Sequence, residues 1–113
     1  MKRVVDNSHQ RTLPASLGAG DRNDITLAVR FLTEQGAKRV LLFGSLAKGN
    51  TISPHSDFDF AVEGLPGDRL FGSVGHLLQV LSRTVDIVNL ESCPPVLRDQ
   101  ILEHGILLNG ERI

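Results

Sequence analysis

Asp57 and Asp59 flank Phe58, and a second phenylalanine, Phe60, follows. Residues i and i+2 of a strand point to one face, so the two carboxylates project together while Phe58 and Phe60 turn to the core. Like charges set side by side raise each other's pKa unless a cation sits between them. Hard divalent cations such as Mg²⁺ take oxygen ligands and keep positions open for substrate phosphates. The same residues also read as an acidic Ser-Asp-x-Asp turn on the solvent side of an edge strand.

A third carboxylate, Asp86, lies within the apolar run Val85-Asp86-Ile87-Val88. Burying an acid there is costly unless it is paired or bound to a metal. The alternative is an exposed strand end where water solvates the charge. Upstream, Gly44-Ser45 directly follows Val40-Leu41-Leu42-Phe43. A glycine there allows a sharp turn and brings N–H groups close to a ligand. Ser45 is read as the cap of a short helix whose N-terminus would favour an anion such as a phosphate. Taken alone, Gly-Ser is equally a common strand-to-helix turn. The three features gain from their order: a phosphate-cradling turn, a carboxylate pair on the next strand, and a third carboxylate on the strand after that.

The elements that must position these groups follow from hydrophobic spacing. Residues 1–21 are polar, carry Pro14, Gly18 and Gly20, and read as a loosely attached leader with a short helical turn near Leu13 to Leu17; residues 22–113 read as one domain. Ile25, Ala28, Val29 and Leu32 recur at helical spacing, with Asp24 as N-cap and Gly36 as stop. Val40 to Phe43 is a strand buried on both faces. Residues 44–56 form a turn, a short helical piece and a loop, and Phe58 to Val62 is the next strand. A helix over Asp68 to Ser82 carries Leu70, Val74, Leu77, Leu78 and Leu81 as its apolar stripe. Val85 to Leu90 is a third strand. Pro94-Pro95 opens a helix that buries Val96, Leu97, Ile101 and Leu102 and closes at Gly105, and Ile106 to Leu108 is a last strand. Strands separated by helices predict a layered α/β or α+β domain.

Composition narrows the function classes. The 113 residues are 41% hydrophobic and 22% charged, ordinary for a globular protein. The net charge of −1 comes without a basic stripe, so direct DNA binding is not expected. Five Phe, with no Tyr or Trp, argue against stacking platforms for single strands. A lone cysteine, Cys93, excludes an internal disulfide and a CxxC site. No run approaches a signal sequence or a membrane span, which points to the cytoplasm. His9, His55, His76 and His104 have no zinc-like spacing, and structural or solvated roles suit them best.

The sequence resembles the DNA polymerase beta-like nucleotidyltransferase superfamily, in its minimal, MntA-like branch. The resemblance is carried by Gly44-Ser45-Leu46-Ala47-Lys48-Gly49, Ser56-Asp57-Phe58-Asp59-Phe60-Ala61-Val62, Val85-Asp86-Ile87-Val88 and the ending Ile101-Leu102-Glu103-His104-Gly105-Ile106-Leu107-Leu108. Eleven residues separate Ser45 from Asp57, one more than the usual spacing, an insertion that the Asn50 to His55 loop can absorb. The resemblance implies a small mixed β-sheet flanked by helices and transfer of AMP from ATP to a hydroxyl. It implies Asp57, Asp59 and Asp86 as catalytic residues holding two Mg²⁺ ions, Asp86 also assisting removal of the acceptor proton. Gly44, Ser45, Lys48 and Ser56 would bind the nucleotide.

Larger relatives carry an acceptor-holding domain for which this chain has no room, so the acceptor is expected on a separate protein. In this branch that partner is a HEPN-domain toxin, AMP-modified on a Tyr by its antitoxin. Two alternatives stay open: an antitoxin that acts by occlusion alone, and an adenylyltransferase for a small molecule such as an aminoglycoside. Neither nucleotide preference nor a homo-oligomeric state is decided by the sequence.

Overall fold

The computed structural model describes residues 12–49 and 52–110. The leader positions 1–11, Asn50 and Thr51 of the loop, and residues 111–113 therefore lie outside the described residues. The elements are α1 (Ala19–Glu34), β1 (Arg39–Phe43), α2 (Ser45–Lys48), β2 (Phe58–Glu63), α3 (Gly67–Val80), β3 (Val85–Asn89), α4 (Pro95–His104) and β4 (Ile106–Asn109). They build a four-stranded mixed sheet in the order β3-β2-β1-β4. β1 is antiparallel to both β2 and β4, and β2 runs parallel to β3 through the α3 crossover.

Alternation along the strands divides the core between two faces. Val40, Leu42, Phe58, Phe60 and Ile87 pack with Ile25, Ala28 and Leu32 of α1 and Leu77 of α3. Leu41, Ala61 and Val88 pack on the opposite face with Leu97, Ile101 and Leu102 of α4. Val40, Leu41 and Leu42 are thus buried on both sides, as their unbroken apolar run requires. The Phe58 and Phe60 rings stack with centroids 5.8 Å apart and are fully buried.

Several boundaries differ from the sequence expectation, each for a physical reason. α1 begins at Ala19 behind Gly18, inside the stretch read as leader, and Asp24 is not its cap. Asp24 instead accepts hydrogen bonds from the backbone N–H (3.0 Å) and hydroxyl (2.7 Å) of Ser82, tying α1 to the turn before β3. Leu17 is buried, and Arg22 donates to the carbonyls of Pro14 and Leu17, so residues 14–17 are held against the helix start. The helix stop is as expected: the N–H of Gly36 donates to Thr33 and that of Ala37 to Leu32, the two bonds of a Schellman ending, with Gly36 at φ 118°.

The stripe of α3 is narrower than its composition suggests. The helix ends at Val80, so Leu81 is buried just beyond it as the C-cap; Leu77 is buried, Leu70 and Val74 pack at the edge, but Leu78 is 46% exposed. On α4, Val96 is 71% exposed because it occupies the first turn, on the side away from Ile101. Among the described residues no helix is long and apolar enough to cross a membrane.

Candidate active site

The three aspartates gather where β1 ends and β2 and β3 begin. Asp59 is the second residue of β2 and Asp86 the second of β3, and the parallel register sets them directly opposite one another. Strands pair at about 4.8 Å, so the two side chains leave the sheet as neighbours. Alternation sends them to the same face as Ala61 and Val88, the α4 face. Asp57 stands just before β2 and is exposed, as is Asp86, whereas Asp59 is half-buried. Asp86 therefore sits at an open strand end where water reaches it, and burial is not what demands a partner for it.

Electrostatic strain concentrates on the middle carboxylate. Burial raises the pKa of Asp59 above its ordinary value, and the charges of Asp86 and then Asp57 raise it further. One oxygen of Asp57 accepts a hydrogen bond from the hydroxyl of Thr84. Among the described residues, no three His, Cys, Asp or Glu side chains are already drawn together as a ligand set for a metal ion. The donor chemistry nonetheless fits a hard divalent cation: acceptor-only oxygens that repel one another beside an open end of the sheet.

Gly44 completes the carboxylate wall. Its φ of 77° and ψ of −157° lie in a region essentially reserved to glycine. A Cβ placed there would stand 2.2 Å from Oδ2 of Asp59, so the bare backbone is also what lets that carboxylate lie against the turn. Gly44, not Ser45, is the N-cap of α2, and no side chain caps that helix. Ser45 is the first helical residue, where its own N–H lacks an intrahelical acceptor. Lys48 closes α2 and is exposed. The hydroxyl of Ser56 accepts from the Ser53 N–H at 3.0 Å, within the turn that precedes Asp57.

Three residues not singled out from the sequence anchor this turn. Arg83 donates from Nε and Nη2 to the two oxygens of Asp21, at 2.7 and 2.9 Å, and from Nη1 to the carbonyls of Ser53 and Ser56, at 2.6 and 2.9 Å. The hydrogen bond from Arg83 holds the Asp21 carboxyl below its ordinary value, and Arg83 is raised in return. Thr84 binds Asp57 through its hydroxyl, and its carbonyl accepts from the Phe58 N–H at 2.9 Å. The partners are far apart in sequence, and the only local signal is a cation and a hydroxyl immediately before the strand that carries Asp86.

The family described as Polymerase beta, Nucleotidyltransferase matches residues 21–112. This chain belongs to that nucleotidyltransferase family. It is 35% identical over 81 residues to a Methanocaldococcus jannaschii protein named as a protein adenylyltransferase, covering 69% of this chain and 86% of the relative. Among solved structures, it resembles a chain of a toxin–antitoxin crystal structure with AMP-PNP, at TM-score 0.66 and 28% identity over 81% of this chain and 75% of the other. It also resembles a chain in the complex of a tri-AMPylated Shewanella oneidensis HEPN toxin with its MNT antitoxin, at TM-score 0.62 and 25% identity, covering 81% and 73%. The mixed sheet flanked by helices is thus the nucleotidyltransferase fold, and the chain is an enzyme of that class.

Proposed function

We propose that this enzyme is an antitoxin that transfers AMP from ATP to a tyrosine hydroxyl of a partner HEPN-domain toxin. The observation that carries the reading is the Asp59–Asp86 pair, held opposite one another across β2 and β3 with the bare Gly44 turn against Asp59. Likeness to chains of a toxin–antitoxin structure with AMP-PNP and of a complex with a tri-AMPylated HEPN toxin supports this choice of substrate and partner. A cytoplasmic location follows from that partner and from ATP as substrate.

Asp57, Asp59 and Asp86 would hold two Mg²⁺ ions, which when bound stabilise the attacking and leaving oxygens of an in-line displacement. Gly44 and Ser45 would orient the triphosphate through their backbone N–H groups, with Lys48 and Ser56 as further nucleotide contacts. The acceptor oxygen forms its bond to the α-phosphorus as the bond to pyrophosphate breaks. Asp86, solvent-exposed at the strand end, would receive the hydroxyl proton. Positioning and charge stabilisation supply most of the acceleration in such transfers.

The test is mass spectrometry of the co-purified toxin incubated with the wild-type chain, ATP and Mg²⁺. An added AMP mass on a tyrosine with wild type, and none with Asp59→Asn, is the expected result. No AMP mass with wild type would overturn the reading. A triple Asp→Asn variant that neutralises the toxin as well as wild type would assign the antitoxin effect to occlusion, and AMP transfer to an aminoglycoside would redirect the acceptor to a small molecule.

A further inference from the structure

Two adjacent residues, Arg83 and Thr84, hold the chain on both sides of Asp57. Before it, Nη1 of Arg83 is shared between the carbonyls of Ser53 and Ser56, the two ends of the turn that the Ser56 N–H closes onto Ser53 at 3.1 Å. After it, the Thr84 carbonyl fixes the Phe58 N–H, and the Thr84 hydroxyl holds the Asp57 carboxylate itself. The guanidinium is in turn locked from behind by both oxygens of Asp21, on the first turn of α1. Its side chain is only 12% exposed and that of Asp21 14%.

We propose that Arg83, braced by Asp21, is a positioning residue that fixes the Ser53–Ser56 turn and so sets where Asp57 stands relative to Asp59 and Asp86. The planar fork of an arginine can serve four acceptors in fixed directions at once; a lysine at this place offers a single point of charge and cannot span them. The inference rests on the reading of Asp57 as part of the transfer site. It adds that α1 and the turn between α3 and β3 govern that site through one side chain outside the proposed nucleotide contacts.

The experiment compares full-length wild type with Arg83→Gln, Arg83→Lys and Asp21→Asn, reading amide hydrogen exchange residue by residue and the steady-state constants of AMP transfer. Freed of Arg83, the Ser56 and Phe58 amides should exchange about tenfold or more faster, while those of β1 keep wild-type rates. In the same Arg83→Gln protein kcat should fall by about a hundredfold, the scale of a misplacement near one ångström. KM for ATP should stay within about threefold, because Gly44, Ser45 and Lys48 keep their places and only Ser56 moves with the turn. Arg83→Lys should behave like Arg83→Gln, and Asp21→Asn should fall between them and wild type, since Nη1 keeps its carbonyls.

Wild-type exchange at Ser56 and Phe58 in Arg83→Gln, or recovery of kcat by Arg83→Lys, would overturn the proposal. Uniformly faster exchange across β1 and the turn in all three variants would also overturn it, assigning Arg83 to general stability. Absence of AMP transfer by wild type would instead strike the functional reading, and the exchange data would still decide whether Arg83 holds the turn.

Discussion

The two ends of the β1–β2 ladder are built on opposite electrostatic rules. At one end the register pairs Arg39 with Glu63, and Nε of Arg39 lies 2.7 Å from the Glu63 carboxylate, with Arg98 a further 3.9 Å neighbour of the same group. At the other end Phe43 pairs with Asp59, and Asp59 faces Asp86 on the adjacent strand. Opposite charges meet where the fold is being closed; like charges meet where the transfer site is proposed. The same ladder thus spends its regularity on stability at one end and stores repulsion at the other, and local conflict of that kind is expected at functional sites.

The largest expected effect comes from removing the stored charge. On the proposed reading, Asp59→Asn should lower AMP transfer on the order of a thousandfold, because a two-metal clamp held there would supply several kcal/mol and each 1.36 kcal/mol is tenfold. Its unfolding temperature should hold or rise, since burial and both neighbouring charges disfavour the ionised form. A calorimetric scan beside the activity assay checks both halves, and loss of stability together with activity would dissolve the contrast between the ends.

Gly44→Ala attacks the active end through the backbone. A side chain at that φ and ψ costs about 1–3 kcal/mol, and its Cβ must displace the Asp59 carboxylate. Urea unfolding should register the loss, and activity should fall by more than the fraction unfolded explains.

Glu63→Gln is the counterpart at the closed end. It leaves the Arg39 guanidinium, 11% exposed, without its charged acceptor. The cost should be about 1.5–3 kcal/mol, the range for a hydrogen bond to a charged group, with AMP transfer by the folded protein unchanged. A drop in kcat matching that of Asp59→Asn would show that the two ends are not independent.

The smallest effect is in pH dependence, and the two ends should differ in sign. The hydrogen bond from Arg39, with Arg39, Arg98 and Lys38 nearby as charges, holds Glu63 below its ordinary value of 4.5. Its stabilisation is present above that value and is lost as pH falls through the lowered one. Asp59 is raised above 3.8, so its ionisation costs stability as pH climbs through the raised value, and acid relieves that cost. Urea titrations at stepped pH should find Asp59→Asn more stable than wild type near neutrality, with the gap closing on acidification. Glu63→Gln should show a shallower acid loss than wild type.

Much of the fold was legible because its signals are local. The apolar run Val40 to Phe43 and the alternation Phe58-Asp59-Phe60 report burial face by face, and Gly36 and Pro95 mark a helix end and a helix start. Errors arose where tertiary neighbours outcompeted local preference. Asp24 is a good cap by type, yet its carboxylate is taken by Ser82 across 58 residues, and α1 starts earlier. Ser45 follows the glycine that actually caps α2. Leu78 and Val96 fit an apolar stripe by composition, but the sheet covers only part of each helix and leaves them in solvent.

The sequence by itself determined which chemistry was within reach: three carboxylates in order along the chain, a glycine turn, and strands alternating so that Asp59 must leave the core that Phe58 and Phe60 enter. These depend on side-chain type and on a period of two, both local quantities. Only the tertiary structure decided that Asp59 stands opposite Asp86, that Asp57 rests on Thr84, and that Arg83 ties the preceding turn to Asp21 across 62 residues. Strand register and long-range ion pairs are set by how whole elements pack, and no window of neighbouring residues contains that information.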